Sequence, residues 1–428
     1  MRKHLFGFFF LLITTASHAQ SLSKNEQQIV SSIDADMPAT LQLLKESVNI
    51  NSGTFNIEGV KKNGQLYGKE LEAMGFAVEW ITVPDSLKRA GHLVAWRKGK
   101  KGKKLFLIGH LDTVFEPDMP SNPFTILKDG MATGQGVVDM KGGDVLIVAA
   151  LKALYKQGLL DDVSITVYFT GDEENAGDPR SVSRGDFMER AKQHDIALAF
   201  EAAAGLNTVA TARRGASEWK LKVEAKQAHS SGVFGPAGYG SIYEAARIIN
   251  VFREKLSHEK YLTFNPGLFI GGSEVNYNDD AQKGEASGKT NIISPKTVVI
   301  GDLRFLSEQQ KENARAMMRK IVSQHLAGSK ATIHFNDGIP SMPPTAGNNA
   351  LVKLVSNVSM SLGYGKVNAG DPGSRGAGDI SYVANYLDCL DGLGASGSGS
   401  HAPGEIINLK EYPKLIKRAA LVIYKLTR

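Results

Sequence analysis

The 428-residue chain has one cysteine, Cys389. One thiol closes no internal disulfide, so no cysteine framework holds the fold. Cys389 lies in the apolar stretch 382–393 and reads as a buried, inert thiol. Low-complexity and disordered tracts are also missing: 42% hydrophobic and 22% charged is the balance of a soluble globular chain. There is no internal repeat. The excess of positive charge is small, +6 in all. Its densest run, residues 97–104, lies between two strand-like segments and reads as a solvated hairpin turn. Nucleic-acid binding calls for a broader basic face with interleaved aromatics, so none is expected.

The apolar run 5–13 at the N-terminus is too short to anchor the chain across a bilayer. It follows Arg2, Lys3 and His4 and precedes small residues at Ser17 and Ala19. That order is a secretory signal peptide over residues 1–19, with the mature chain beginning near Gln20. A buried N-terminal helix is the alternative. No cysteine follows the run, which argues against a lipid anchor. The expected product is exported, periplasmic or secreted, with no membrane anchor after cleavage.

A mature chain of this length exceeds one ordinary core and implies two domains. Helical spacing of Leu41, Leu44 and Val48 and a second candidate at 59–74 are followed by strand-like segments at 76–83 and 92–97. Continuous apolar runs at 105–108, 163–170 and 196–200 read as buried central strands. Alternation with helices predicts an α/β domain, a mixed central sheet with flanking helices on both faces. Near Arg213 the texture changes. Segments 218–225, 241–256, 268–275, 297–305, 308–326 and 331–335 spell a β-α-β-β-α-β unit. The α/β pattern resumes after Pro340 with helices at 349–362 and 412–426. An α+β unit at 214–336 is therefore expected to be inserted into a discontinuous domain of residues 20–213 and 337–428.

His, Asp and Glu recur where predicted strands end. His110 and Asp112 follow the run 105–108, and alternation puts i and i+2 on one side. Asp112 can then hydrogen-bond the second ring nitrogen of a metal-bound His110, although an Asp–His surface pair gives the same spacing. Asp139 sits among glycines before a helix, where it either caps that helix or bridges two cations. Asp172, Glu173 and Glu174 follow the strand 163–170, Glu201 ends the strand at 196–200, and His401 follows a glycine–serine run. An acidic surface turn is the plain reading of 172–174 alone. In an open α/β sheet, however, ligands bind beyond the carboxyl ends of the strands. Two histidines and three carboxylates there suit a pair of zinc ions with one carboxylate shared, and a further glutamate would be the general base.

The stretches His110-Leu111-Asp112-Thr113-Val114, Gly136-Val137-Val138-Asp139-Met140-Lys141-Gly142-Gly143, Gly171-Asp172-Glu173-Glu174, Glu201 and Ser400-His401-Ala402 resemble the M20 family of zinc metallopeptidases, especially its glutamate carboxypeptidase-like branch. The resemblance implies two zinc ions, or other divalent metals. His110 and Glu201 would bind one, Glu174 and His401 the other, and Asp139 both, with a cis peptide after it. Asp112 would orient His110, and Glu173 would take a proton from the attacking water and pass it to the leaving amine. It further implies an inserted lid that forms a homodimer. His229 would stabilise the oxyanion, often from the partner subunit, and Asn291 and Arg304 would contact substrate. Arg304 can hold a substrate's free carboxylate bidentately, or instead pair with Asp302. Arg375 lies in a glycine-rich stretch, 373–379, like the family's substrate loop. Glu at 201 is the carboxypeptidase and deacylase pattern. The implied activity is cleavage of amide bonds in small peptides or N-acyl amino acids with a free C-terminal carboxylate. A deacylase or dipeptidase with the same site, and a binding protein that has lost the chemistry, are the alternatives.

Overall fold

A computed structural model of the chain describes residues 21–279 and 281–428; the expected signal peptide lies outside them. The apolar runs become the centre of a six-stranded mixed sheet. It contains β1 (Ala77–Ile81), β2 (His92–Arg97), β3 (Lys101–His110), β4 (Val163–Thr170) and β5 (Ile196–Ala199) in the order β1-β2-β4-β3-β5, closed by an edge strand at Asp388–Leu390. β3 runs parallel to both β4 and β5, so these three strands end together.

Alternation along each strand splits the core in two. Leu105, Leu107, Ile165, Val167 and Leu198 face α1 (Lys24–Asn49), α2 (Ile57–Ala73), α3 (Lys141–Lys156) and the C-terminal helix Tyr412–Leu426. Phe106, Ile108, Tyr168, Ala197 and Cys389 face the other way. There the cover is the short helix Gly185–Ala191 and the turn Asp379–Tyr382 rather than long helices. Burial raises the Cys389 thiol far above its ordinary range, consistent with an inert residue. α1 starts at Lys24 because Ser23 and Glu26 form a capping box.

The basic segment 97–104 is not a hairpin turn. β2 and β3 are not paired; β4 lies between them, antiparallel to β2 and parallel to β3. The connection therefore crosses one strand, which Val163 and its neighbours fill from much later in the chain, Val163 opposite Lys101.

Residues 215–337 build their own sheet from β6 (Gly215–Ala225), β7 (Thr263–Gly272), β8 (Lys296–Phe305) and β9 (Ser329–Asp337), all antiparallel in the order β7-β8-β6-β9. Helices Gly240–Leu256 and Glu308–Val322 cover it, and Trp219, Leu221, Ile248, Phe252, Val299, Leu303 and Met318 fill a separate core. Gly301 is required where it stands, because a Cβ there would meet the Trp219 ring at 2.1 Å. The strand expected at 268–275 ends at Gly272, and the chain continues into a hairpin of Glu274–Asn278 with Lys283–Ser287. Arg213 and Met342, where the chain enters and leaves this unit, exchange two backbone hydrogen bonds of 2.9 Å.

In the first turn of α3, Asp144 is fully buried and neither carboxyl oxygen has a hydrogen-bond partner. Gly109 makes room for it: a Cβ at 109 would stand 2.1 Å from Asp144 Oδ1. Burial raises the Asp144 pKa well above its ordinary value. Between the ordinary value near pH 4 and the raised one, the unfolded chain releases this proton and the folded chain keeps it, so stability falls as pH rises, by up to about 1.4 kcal/mol per pH unit. Asp144→Asn in metal-stripped protein should match the native chain near pH 4 and gain on it steadily as pH increases. Urea denaturation across pH 4–8 measures this, and a pH-independent difference would contradict it.

Candidate metal centre and active site

The joint ending of β3, β4 and β5 places the acidic and imidazole groups on one edge. His110 is the last residue of β3, the turn 171–174 follows β4, and Glu201 follows β5 with Phe200 between them. Asp139 sits in the turn before α3, with a cis peptide to Met140, and His401 in the loop between two short strands, Gly397–Ser398 and Ile406–Asn408. The two oxygens of Asp139 face different histidines: Oδ1 lies 3.3 Å from His110 Nε2 and Oδ2 lies 3.2 Å from His401 Nε2. Glu201 Oε1 is 3.7 Å from His110 Nε2, and Glu174 Oε2 is 3.1 Å from His401 Nε2. The result is two donor groups, His110–Asp139–Glu201 and Asp139–Glu174–His401, that share Asp139.

These separations fit cations. Donors about 2.0–2.1 Å from a tetrahedral zinc ion stand about 3.3–3.4 Å from one another. His110 Nε2 and Glu174 Oε1 are buried without a hydrogen-bond partner, although both belong to the cluster. Burial pushes Glu201 up to about 7 and raises Glu173 and Glu174. Hydrogen bonds to Asp139 and Glu174 raise His401 to about 10. Without a cation this cluster therefore holds protons against its own repulsion. Two divalent ions would replace them and complete both orphaned donors.

Asp112 does more than the sequence indicated. His110 Nδ1 lies 3.0 Å from the Asp112 carbonyl oxygen and 3.5 Å from its carboxylate, so the backbone holds the ring. The carboxylate accepts hydrogen bonds from Thr54 Oγ1 (2.7 Å) and from the backbone N–H groups of Glu173 (3.0 Å) and Glu174 (3.1 Å). One buried acid thus ties the metal-type histidine to the turn that carries Glu173, which is half-buried beside the cluster.

His229, Asn291 and Arg304, in the inserted segment, are not among the cluster's donors. His229 is exposed with Nδ1 2.8 Å from Ser231 Oγ, and Asn291 lies beside it, its carbonyl accepting from Ser230 N. Arg304 donates to Asp302 at 2.8 Å and lines a cavity of about 700 Å³ with Asp178, Arg180, Glu218 and Asp337, none of them a cluster residue. Arg375 donates to the carbonyl oxygen of Ala202, next to Glu201.

Several supporting residues escaped the sequence reading. Arg213 is buried, bonded to Asp391, and carries Nη2 to within 3.9 Å of Glu201. Arg184, 1% exposed, bonds both Asp172 and Asp379, and Asp379 accepts from Thr170 Oγ1 at 2.6 Å. Glu405 accepts from three backbone N–H groups of the Asp139 turn. A signal existed for Asp391, a carboxylate between Leu390 and Leu393. The others need partners up to 269 residues away.

Such an edge, with paired donor groups sharing a carboxylate and a spare glutamate, defines a metal-dependent hydrolase. The chain belongs to peptidase family M20/M25/M40, whose sequence model matches residues 106–425. It is 26% identical over 412 residues to carboxypeptidase G2 of Pseudomonas sp. (strain RS-16), spanning 94% of this chain and 93% of that one. It is 28% identical over 299 residues to succinyl-diaminopimelate desuccinylase of Polynucleobacter necessarius subsp. necessarius (strain STIR1), spanning 67% of this chain and 74% of the other. Its fold matches the YXEP protein of Bacillus subtilis, described as a dinuclear metal-binding M20 peptidase, with TM-score 0.64 at 14% identity, over 92% of this chain and 99% of that one.

Arg184→Met leaves Asp172 and Asp379 buried without their shared cation. It should cost about 3–5 kcal/mol in urea unfolding; a loss below about 1 kcal/mol would show that the pairing is not needed.

Proposed function

We propose that this enzyme uses two zinc ions to cleave the amide bond of small peptides or N-acyl amino acids carrying a free C-terminal carboxylate, with glutamate carboxypeptidase-like preference. One observation carries the reading: two donor groups share Asp139, and the unligated Glu173 stands beside them on the same strand edge. His110, Asp139 and Glu201 would hold one ion, and Asp139, Glu174 and His401 the other. When bound, the ions supply Lewis acidity to the scissile carbonyl and to the attacking water. Glu173 takes the proton from that water and delivers it to the leaving amine, a task that suits a carboxyl whose affinity for protons is raised by burial. Asp112 keeps that turn in register with His110. The carboxypeptidase preference is supported by the likeness to carboxypeptidase G2 over nearly the whole chain. Desuccinylation is the second reading, supported by the likeness to that enzyme over two thirds of the chain.

His229, Asn291 and Arg304 are assigned to substrate, across a homodimer formed by the lid. β7 is an edge strand of the lid sheet, and Phe234 (57% exposed), Tyr243, Ile242 and Phe269 leave an apolar surface around it. The enzyme is assigned to the periplasm or the exterior, with residues 1–19 removed.

A zinc-loaded panel of N-acyl amino acids and dipeptides tests the reaction. Free-acid substrates should turn over and their C-terminal amides should not, and Glu173→Gln should lose roughly 10²–10⁴-fold in kcat while retaining its metal. Amides hydrolysed as fast as acids, or an active Glu173→Gln, would sink the assignment. Intact mass and sedimentation velocity of protein recovered from its export compartment should give a chain starting near Gln20 and twice the chain mass; a full-length monomer would contradict both placements.

A further inference from the structure

We infer that Glu405 is a positioning residue that locks the Asp139 turn to the His401 loop and sets the affinity of the cation site formed by Asp139, Glu174 and His401. The inference rests on the two-metal reading above. Glu405 is fully buried. Its Oε1 accepts from the backbone N–H groups of Val138 (2.6 Å) and Asp139 (2.8 Å), and its Oε2 from that of Gly136 (3.0 Å). Buried Lys141 interacts with it electrostatically but donates its hydrogen bonds to the carbonyl oxygens of Ser47 and Ile50 instead. The turn 134–139 wraps the carboxylate with converging amide dipoles, a concave anion nest. The three N–H donors favour the charged carboxylate and oppose burial, which pushes Glu405 up to about 7.

The local sequence puts it there. The strand Ile406–Asn408 pairs antiparallel with Met131–Thr133, Ile406 opposite Thr133. Residue 405 therefore arrives where the turn begins, and its carbonyl accepts from Thr133 Oγ1 (2.7 Å) and Gly134 N (3.3 Å). Gly136 has φ +67°, a left-handed conformation, and a Cβ there would meet Thr113 at 2.4 Å.

The two cation sites depend on this anchor unequally. His110 and Glu201 stand at the ends of buried strands β3 and β5. His401 stands four residues before Glu405 in a loop, at φ +65°, with 58% of its side chain exposed. It has little packing of its own and inherits its position from the anchored segment. Loss of the Glu405 carboxylate frees His401 and one end of Asp139, and spares the His110–Glu201 side.

Cobalt(II) titration of chelator-stripped protein, followed by its visible absorption, reads the two sites separately from activity. The native chain should take two equivalents. Glu405→Gln leaves no buried charge but turns an amide N–H toward backbone donors. It should bind the first equivalent within about threefold of the native chain and the second at least about tenfold more weakly, with an unchanged circular dichroism spectrum. If it does not fold, Glu405→Asp, whose carboxylate is withdrawn by one methylene, should show the same imbalance. Two equivalents bound as in the native chain, or both weakened equally, would overturn the role of Glu405. Fewer than two equivalents in the native chain itself would instead overturn the two-metal reading beneath it.

Discussion

Negative charge gathered in a poorly solvated place is the constraint around which this molecule is arranged. Asp112, Asp139, Glu173, Glu174 and Glu201 converge where β3, β4 and β5 end, and Asp172, Asp379 and Asp391 stand just behind. Carboxylates brought this close out of water repel one another and lose hydration. The fold answers with three kinds of compensation. Guanidinium groups serve the rear row: Arg184 for Asp172 and Asp379, Arg213 for Asp391. Backbone N–H groups serve Asp112 and Glu405. Asp139, Glu174 and Glu201 in the front row face two histidines and the more distant Arg213, a deficit that suits metal cations.

These compensations differ in what they leave free. A carboxylate held by arginine or by amides is fully engaged and acts as framework. Glu173 has neither kind of partner for its side chain, so it keeps the proton affinity that burial gives it. Glu173 and Asp172 are adjacent in sequence, yet Asp172 is held by Arg184 and lowered while burial raises Glu173.

Sequence reasoning reached the front row and stopped short of the support. Central strands declare themselves by uninterrupted apolar runs, and the acid after each run marks the edge it ends on, so His110, Glu174 and Glu201 could be grouped before any coordinates. Asp139 and His401 were legible through their glycine-rich settings. Strand order was not, because the connection 97–104 looks the same whether it turns back on β2 or steps over β4. Arg184, Arg213 and Glu405 were silent for a related reason: a charged residue is defined by its partner, and Asp379, Asp391 and the Asp139 turn, which complete their settings, lie far off in the chain. The hairpin at 274–287 was hidden by Gly272, where a continuous β pattern changes sheets.

The paired backbones of Arg213 and Met342 bring the two ends of the inserted segment side by side. To the host domain, everything from 214 to 341 is then topologically equivalent to a tight loop. Loop-closure entropy grows only as the logarithm of length, and a segment with its own core adds almost none of it. The inserted segment can therefore vary in length at little entropic cost to the sheet that carries the acids. Its covalent join to the acid-bearing domain is confined to one narrow neck.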